Sequence, residues 1–285
     1  MKVLLHVNYY EGPGRLDELF RIADKFGYDG VELRWKYRFS DMNQDEYRNK
    51  LVALKSQYPD FEITFGGMIN FCRGKESEVE AETANYFEFL EWTKKELDTK
   101  VMNFFTGPLL VEDADYAEFH VHGSGMAEEG DYEKAAAGLR KVGDKAAELG
   151  MLISLETHNG YLHDLAKPSR KLMDMTGHDA IGINWDHGNI LLNRNGESID
   201  EVFDLLDGKI YYAHLKNVLV YRKQLYLVTH LEQGHIDTMH AVRKLKDNLK
   251  SGILAVEYPA PGDGVIAAKR DMEYMKYIKA WLEIE

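Results

Sequence analysis

The chain has 285 residues, 48 of them acidic and 35 basic, for a net charge of −13 at pH 7. That excess of negative charge argues against nucleic acid or an anionic membrane as a main partner. A hydrophobic content of 45% fits a globular protein with a sizeable core, the single Cys72 excludes an internal disulfide, and no apolar run approaches the roughly 20 residues of a membrane span, so the cytoplasm is the expected compartment.

Residues 2–9 predict a first strand and Gly12-Pro13-Gly14 a turn. Leu16, Leu19, Phe20, Ala23 and Phe26 recur at helical spacing over 15–26, and Gly27 stops that helix. A strand at 29–35, a helix at 45–58 and a strand at 62–69 follow. The long helix expected at 77–97 carries Val79, Tyr86, Phe87, Leu90 and Leu97, read as core packing. After a strand at 101–106 the next helix starts only near Asp131, and a loop of about two dozen residues, longer than ordinary connections, predicts a functional lid. His120 and His122 lie in it and are read as plain loop histidines. Then come a helix at 131–149, a strand at 151–157, a helix at 163–176, a strand at 181–186, a helix at 198–207 and a strand at 210–216. A second long loop, 218–236, leads to a helix at 237–249 with Asp237 as candidate N-cap, a strand at 252–258 and a helix at 266–284.

Eight strands alternating with eight helices require a parallel sheet with helical crossovers. With no linker of biased composition, this predicts one (β/α)8 TIM-barrel domain over residues 1–285. A doubly wound open sheet would place a glycine-rich phosphate turn after the first strand, and Pro13 removes a backbone donor that such a turn needs.

Four apolar strands close on an ionisable residue: Glu156, Asp186, His214 and Glu257. In a barrel all C-terminal strand ends ring one mouth, so these four are expected to meet. Three carboxylates and an imidazole suit one divalent cation, with Mn²⁺ expected and Mg²⁺, Co²⁺ or Zn²⁺ as alternatives. Taken singly, each reads better as a cap or a salt-bridge residue; the equivalence of the four positions favours the metal site. Lys216 lies two residues past His214 and shares its direction. It reads equally as a substrate contact or a surface lysine. His158 stands in the same relation to Glu156, and His187 and Glu32 are further candidate substrate contacts. His6 reads better as a core histidine; Trp35 and Trp185 are a sugar-facing wall or core.

Phe26-Gly-Tyr-Asp-Gly-Val-Glu-Leu-Arg34, Ile153-Ser-Leu-Glu-Thr-His158, Asn184-Trp-Asp-His-Gly-Asn189, Tyr212-Ala-His-Leu-Lys-Asn217 and Ala255-Val-Glu-Tyr258 together resemble the xylose-isomerase-like superfamily, also called the sugar phosphate isomerase/epimerase family. The resemblance spreads along the whole chain in the family's order. It implies that Glu156, Asp186, His214 and Glu257 are metal ligands and that Glu156 and Glu257 are the paired acid/base carboxylates. It implies a small carbohydrate substrate and, since barrels of this family often pair, allows a homo-oligomer. The chain departs from ketose 3-epimerases of the family at Leu162, Asn189 and Val220, where glutamate, histidine and arginine are expected. The endonuclease IV branch needs extra histidines on early strands, and the third and fourth expected strands carry none at their ends.

The chemistry implied is proton removal beside a carbonyl, with an enediolate stabilised by the cation. Return of the proton gives an isomerase or epimerase; loss of a β-hydroxyl or of carboxylate gives a lyase, the runner-up. A sugar-binding barrel without turnover does not need two opposed carboxylates, and a phosphodiesterase on nucleic acid fits poorly with the charge.

Overall fold

The computed structural model describes residues 1–12, 15–36, 42–222 and 225–284. The expected Gly12-Pro-Gly14 turn falls partly outside the described residues. Eight parallel strands close into a barrel: β1 (Lys2–His6), β2 (Gly30–Arg34), β3 (Glu62–Met68), β4 (Val101–Phe105), β5 (Leu152–Glu156), β6 (Ile181–Asp186), β7 (Ile210–Leu215) and β10 (Ile253–Val256), with β10 pairing back onto β1. Among the described residues there are nine α-helices: α1 (Leu16–Phe26), α2 (Gln44–Gln57), α3 (Glu76–Leu97), α4 (Glu129–Glu148), α5 (Ala166–Thr176), α6 (His187–Leu192), α7 (Ile199–Leu205), α8 (Thr238–Asn248) and α9 (Gly264–Trp281).

The strands are buried on both faces, as parallel strands covered by helices must be; every residue of β6 and β7 is buried. One large core lies between strands and helices, including Phe20 of α1, Tyr47 of α2, Phe89 of α3 and Trp185 of β6. Burying each such side chain contributes about 1.5–3 kcal/mol. A smaller cluster of Leu4, Val101, Tyr212, Ile253 and Ala255 fills the barrel interior. Period-two alternation then carries the next inward positions, among them Glu32, Asn103, Glu156, Asp186 and His214, up toward the mouth. At the foot of β2, Gly30 has φ +155°, and a Cβ there would sit 1.9 Å from the Glu62 carbonyl oxygen, so only glycine lets β2 and β3 pair.

Several helices start where the sequence supplies a cap. Asn43 with Glu46 caps α2 and Ser198 with Glu201 caps α7, each as a capping box. Asp237 accepts from the His240 amide at 2.9 Å, so it caps α8.

Three expectations change. The first strand ends at His6, because the His6 imidazole accepts the Asn8 amide hydrogen and turns the chain into a 3-10 turn over Val7–Tyr9. The stretch 218–236, expected as a loop, contains an antiparallel hairpin of β8 (Asn217–Arg222) and β9 (Leu225–Thr229), whose alternating β-formers follow β7 with only Lys216 between. A short helix, α6, follows Asp186 directly, because the Asp186 carboxylate accepts the Asn189 amide at 3.2 Å and caps it. The β4–α4 loop folds on itself: His122 accepts from the Val111 amide at 3.0 Å and faces the Asp115 carbonyl with its other nitrogen, also at 3.0 Å. The 1% exposure of His122 agrees with that structural use. Phe119 of this loop lies 6.4 Å, ring to ring, from Tyr226 of the hairpin.

Candidate metal centre

The four strand-end residues come together. Ligand atoms of Glu156, Asp186, His214 and Glu257 all lie within 4.8 Å of one another, and all four side chains are buried. Their neighbours show how each is held. Asn103 donates to Glu156 Oε2 at 2.8 Å. The Asn189 amide bridges Glu156 Oε1 at 3.2 Å and Asp186 Oδ2 at 3.0 Å. Thr157 Oγ1 accepts from the Asp186 amide at 2.8 Å, fixing the end of β6. Lys216 places its ammonium 2.7 Å from Asp186 Oδ2 and 3.1 Å from Glu257 Oε2. Gly188 makes room for it: a Cβ there would meet Lys216 Cγ at 2.6 Å.

His214 carries the test of whether a metal fits. Its Nε2 lies 2.7 Å from Glu32 Oε2, which assigns a hydrogen to Nε2; in the neutral ring Nδ1 then carries the lone pair. That Nδ1 is buried, makes no hydrogen bond, and sits 3.4 Å from Glu156 Oε2 and 3.7 Å from Glu257 Oε2. A buried lone pair facing carboxylate oxygens needs either a proton or a cation. Carboxylate–histidine pairing of this kind is how ligating imidazoles are oriented in metal sites. The donor set and the orphaned nitrogen therefore fit a divalent ion.

Electrostatics among the side chains of the cluster point the same way. Burial opposes ionisation of Glu156, but the His214 charge beside it holds its carboxyl well below the usual range. Burial also opposes ionisation of Glu257, yet Lys216 brings it down to about 2. Asp186 is pushed up to about 6, by burial and by the charges of Glu257 and Glu156, against the pull of Lys216. His214 is disfavoured as a cation by burial, but Glu32 and Glu156 raise it well above its ordinary value. Three acids sharing two cationic side chains leave one acid unsupported, the condition a divalent ion relieves.

A cavity of about 700 Å³ opens over this cluster. Glu156, Glu257, Glu32 and His158 line it, with His6, Asn8, Arg34, Asn103, Phe105, Tyr161 and Tyr258; Asp186, His214 and Lys216 do not. His158 packs edge-on to Phe105 and Tyr161, with ring centroids 5.7 and 5.3 Å away. Glu32 is 0% exposed, and its hydrogen bonds go to His214 and to the Tyr212 hydroxyl at 2.7 Å, across the barrel. His187 lies apart from the cavity, 5.6 Å from the Trp185 ring; burial alone takes it down to about 4, so it is neutral. Trp185 is core and Trp35 lines the cavity. Tyr258, next after Glu257, has φ +67°, a sparsely populated conformation for a non-glycine residue at a mouth.

Sequence reasoning did not single out Asn8, Arg34, Asn103 or Tyr212, and it noted Asn189 only as a departure. Asn103 left a signal, a lone amide inside the apolar run Val101-Met-Asn-Phe-Phe105. The others became visible only once strands distant in sequence were adjacent.

A sequence profile of the family described as xylose isomerase-like TIM barrel matches residues 20–278. An inosose dehydratase from Lacticaseibacillus casei is 28% identical over 139 residues, 49% of this chain and 41% of that protein. One from Clostridium perfringens (strain 13 / Type A) is 29% identical over 175 residues, 55% of this chain and 57% of that protein. The chain thus spans about half the length of the curated relatives it matches. Among solved structures, L-ribulose 3-epimerase superposes with a TM-score of 0.74 at 15% identity, covering 99% of this chain and 96% of that one. The IOLI protein, described with a binding zinc atom, gives 0.70 at 18% identity over 99% and 98% of the two chains. A xylose isomerase-like barrel from Mycobacterium smegmatis in complex with magnesium gives 0.74 at 15% over 99% and 97%. Likeness at these identities speaks to the fold.

Proposed function

The chain belongs to the xylose isomerase-like TIM barrel family, and from that premise we propose that it is a divalent-metal-dependent enzyme that enolises a small polyhydroxy carbonyl compound. The reading rests on one observation: the buried, unsatisfied Nδ1 of His214 faces Glu156 and Glu257 beneath a cavity of about 700 Å³. Glu156, Asp186, His214 and Glu257 would hold the ion, which when bound supplies positive charge to stabilise the enediolate oxygens. Mn²⁺ is the ion we propose.

Glu156 and Glu257 are the acid/base pair. One takes a proton from the carbon beside the carbonyl, and the pair returns it to the same or the neighbouring carbon. Return to the opposite face gives an epimer; return to the adjacent carbon gives an aldose–ketose isomer. His158, on the cavity wall, binds substrate oxygens, Lys216 pairs with Asp186 and Glu257 behind that wall, and Glu32 keeps the His214 ring in register. The phenyl and phenol faces of Phe105 and Tyr161 give a sugar ring an apolar wall.

A second reading, dehydration, is favoured by the inosose dehydratases among the relatives. There the carboxylate that took the proton passes it to a departing β-hydroxyl; a C–H and a C–O bond break, a C=C bond forms, and water leaves.

Incubation of Mn²⁺-loaded protein in D₂O with a panel of ketoses, aldoses and inososes tests both. Deuterium at a carbon of recovered sugar supports isomerase or epimerase chemistry, and release of water with an unsaturated ketone supports the dehydratase. A panel compound that binds in the cavity but neither exchanges a proton nor loses water would overturn the enzyme reading.

A further inference from the structure

Beside Glu257 runs a chain of side chains that the acid/base reading does not use. By register, β1 lies between β10 and β2, so the segments following these strands are side by side at the mouth. Asn8 sits in the 3-10 turn after β1, held there by its own amide donating to His6 Nδ1 at 3.1 Å. Its side-chain Nδ2 donates to Glu257 Oε1 at 3.0 Å. Its Oδ1 accepts from Arg34 Nη2 at 2.7 Å. Arg34 in turn donates to both oxygens of Glu11, at 2.7 and 3.0 Å.

This order fixes the direction of the amide. A guanidinium has only donors, so the Asn8 atom facing Arg34 is the oxygen, and the atom facing Glu257 is the NH₂ group. One oxygen of Glu257 is thereby committed to a hydrogen bond. The other, Oε2, is the one directed at Lys216 and His214.

We propose that Asn8 is a positioning residue for Glu257, oriented by Arg34 and Glu11, and that this chain makes Glu257 present a single oxygen to the reacting centre. It rests on the reading of Glu257 as a site carboxylate. Arg34 acts through Asn8, not on the substrate, although it lines the cavity. Without the amide, the carboxylate can rotate about its terminal bond and offer both oxygens; without Arg34, the Asn8 amide can flip and set its oxygen against Glu257.

A double-mutant cycle read by calorimetric titration of stripped protein with Mn²⁺ tests the proposal. Asn8→Ala weakens Mn²⁺ binding about tenfold, in the range typical of residues that orient ligands. Arg34→Met weakens it by a similar factor, and the double variant is no weaker than Asn8→Ala. Asn8→Ser, with a shorter donor, falls between native and Ala, and serves if Asn8→Ala does not fold. Additive losses, or unchanged affinity in folded Asn8 variants, overturn the chain. Turnover of Glu257→Gln is measured alongside. If it stays native, the acid/base role of Glu257 fails while the Mn²⁺ cycle still decides the positioning role.

Discussion

The two halves of the barrel mouth differ. On β5, β6, β7 and β10 the strand ends carry Glu156, Asp186, His214 and Glu257, with Lys216 just beyond β7, packed so closely that charges outnumber partners. On β1 to β4 they carry His6, Asn8, Glu32, Arg34, Asn103 and Phe105, which line the cavity and donate, brace or stack. In the proposed reading, one half concentrates charge for a cation and a proton, and the other shapes the space and holds the first half in place. The bond from Glu32 on β2 to His214 on β7, at 2.7 Å, is where the bracing half reaches across the barrel.

The division is broken most sharply by Glu257→Gln. The amide is isosteric and still offers an oxygen, so Mn²⁺ binding stays within about tenfold of native, whereas loss of the base lowers kcat roughly 10²- to 10⁴-fold. Steady-state kinetics beside calorimetry checks this, and native turnover would show that charge in this half is not used for proton transfer. Glu32→Gln sharpens the other side of the contrast. It leaves the cluster carboxylates intact, loses the charge that holds His214 Nε2–H, and weakens Mn²⁺ binding about 10- to 100-fold. A change of less than twofold would mean that bracing across the barrel is unimportant. Phe105→Ala, within the cavity half alone, raises KM several-fold, about 1 kcal/mol of lost stacking, with kcat held. A fall in kcat without change in KM would contradict the split.

The smallest effect is on stability. His187 is held neutral by burial, with its pKa taken down to about 4 from an ordinary value of 6.5. Between those values the unfolded chain binds a proton that the folded one does not. Its contribution to stability is therefore present above pH 6.5 and is lost as pH falls toward 4. His187→Gln makes the decline in Tm between pH 7 and pH 5 shallower than in the native protein, as read by calorimetry.

The same contrast explains what the sequence made legible. Glu156, Asp186, His214 and Glu257 each interrupt an apolar strand, so the charged half announces itself through local pattern, and the alternation of strands and helices says that the ends converge. The bracing half is made of pairings distant in sequence, such as Asn8 with Glu257 and Tyr212 with Glu32, 249 and 180 residues apart, which no local pattern encodes. The β8–β9 hairpin was missed for a different reason: it follows β7 so directly that its β-formers read as the strand running into a loop. Helix α6 was missed because its cap is Asp186, which the functional reading had already assigned to the metal.

The most direct test is the Mn²⁺ stoichiometry of chelator-stripped native protein and of His214→Ala, with circular dichroism to confirm that both are folded. The account predicts one ion per native chain, and for His214→Ala affinity lowered by on the order of 100-fold or more, as expected when a ligand itself is lost. A folded native protein that takes up no ion, or a His214→Ala variant that binds as the native does, would contradict it.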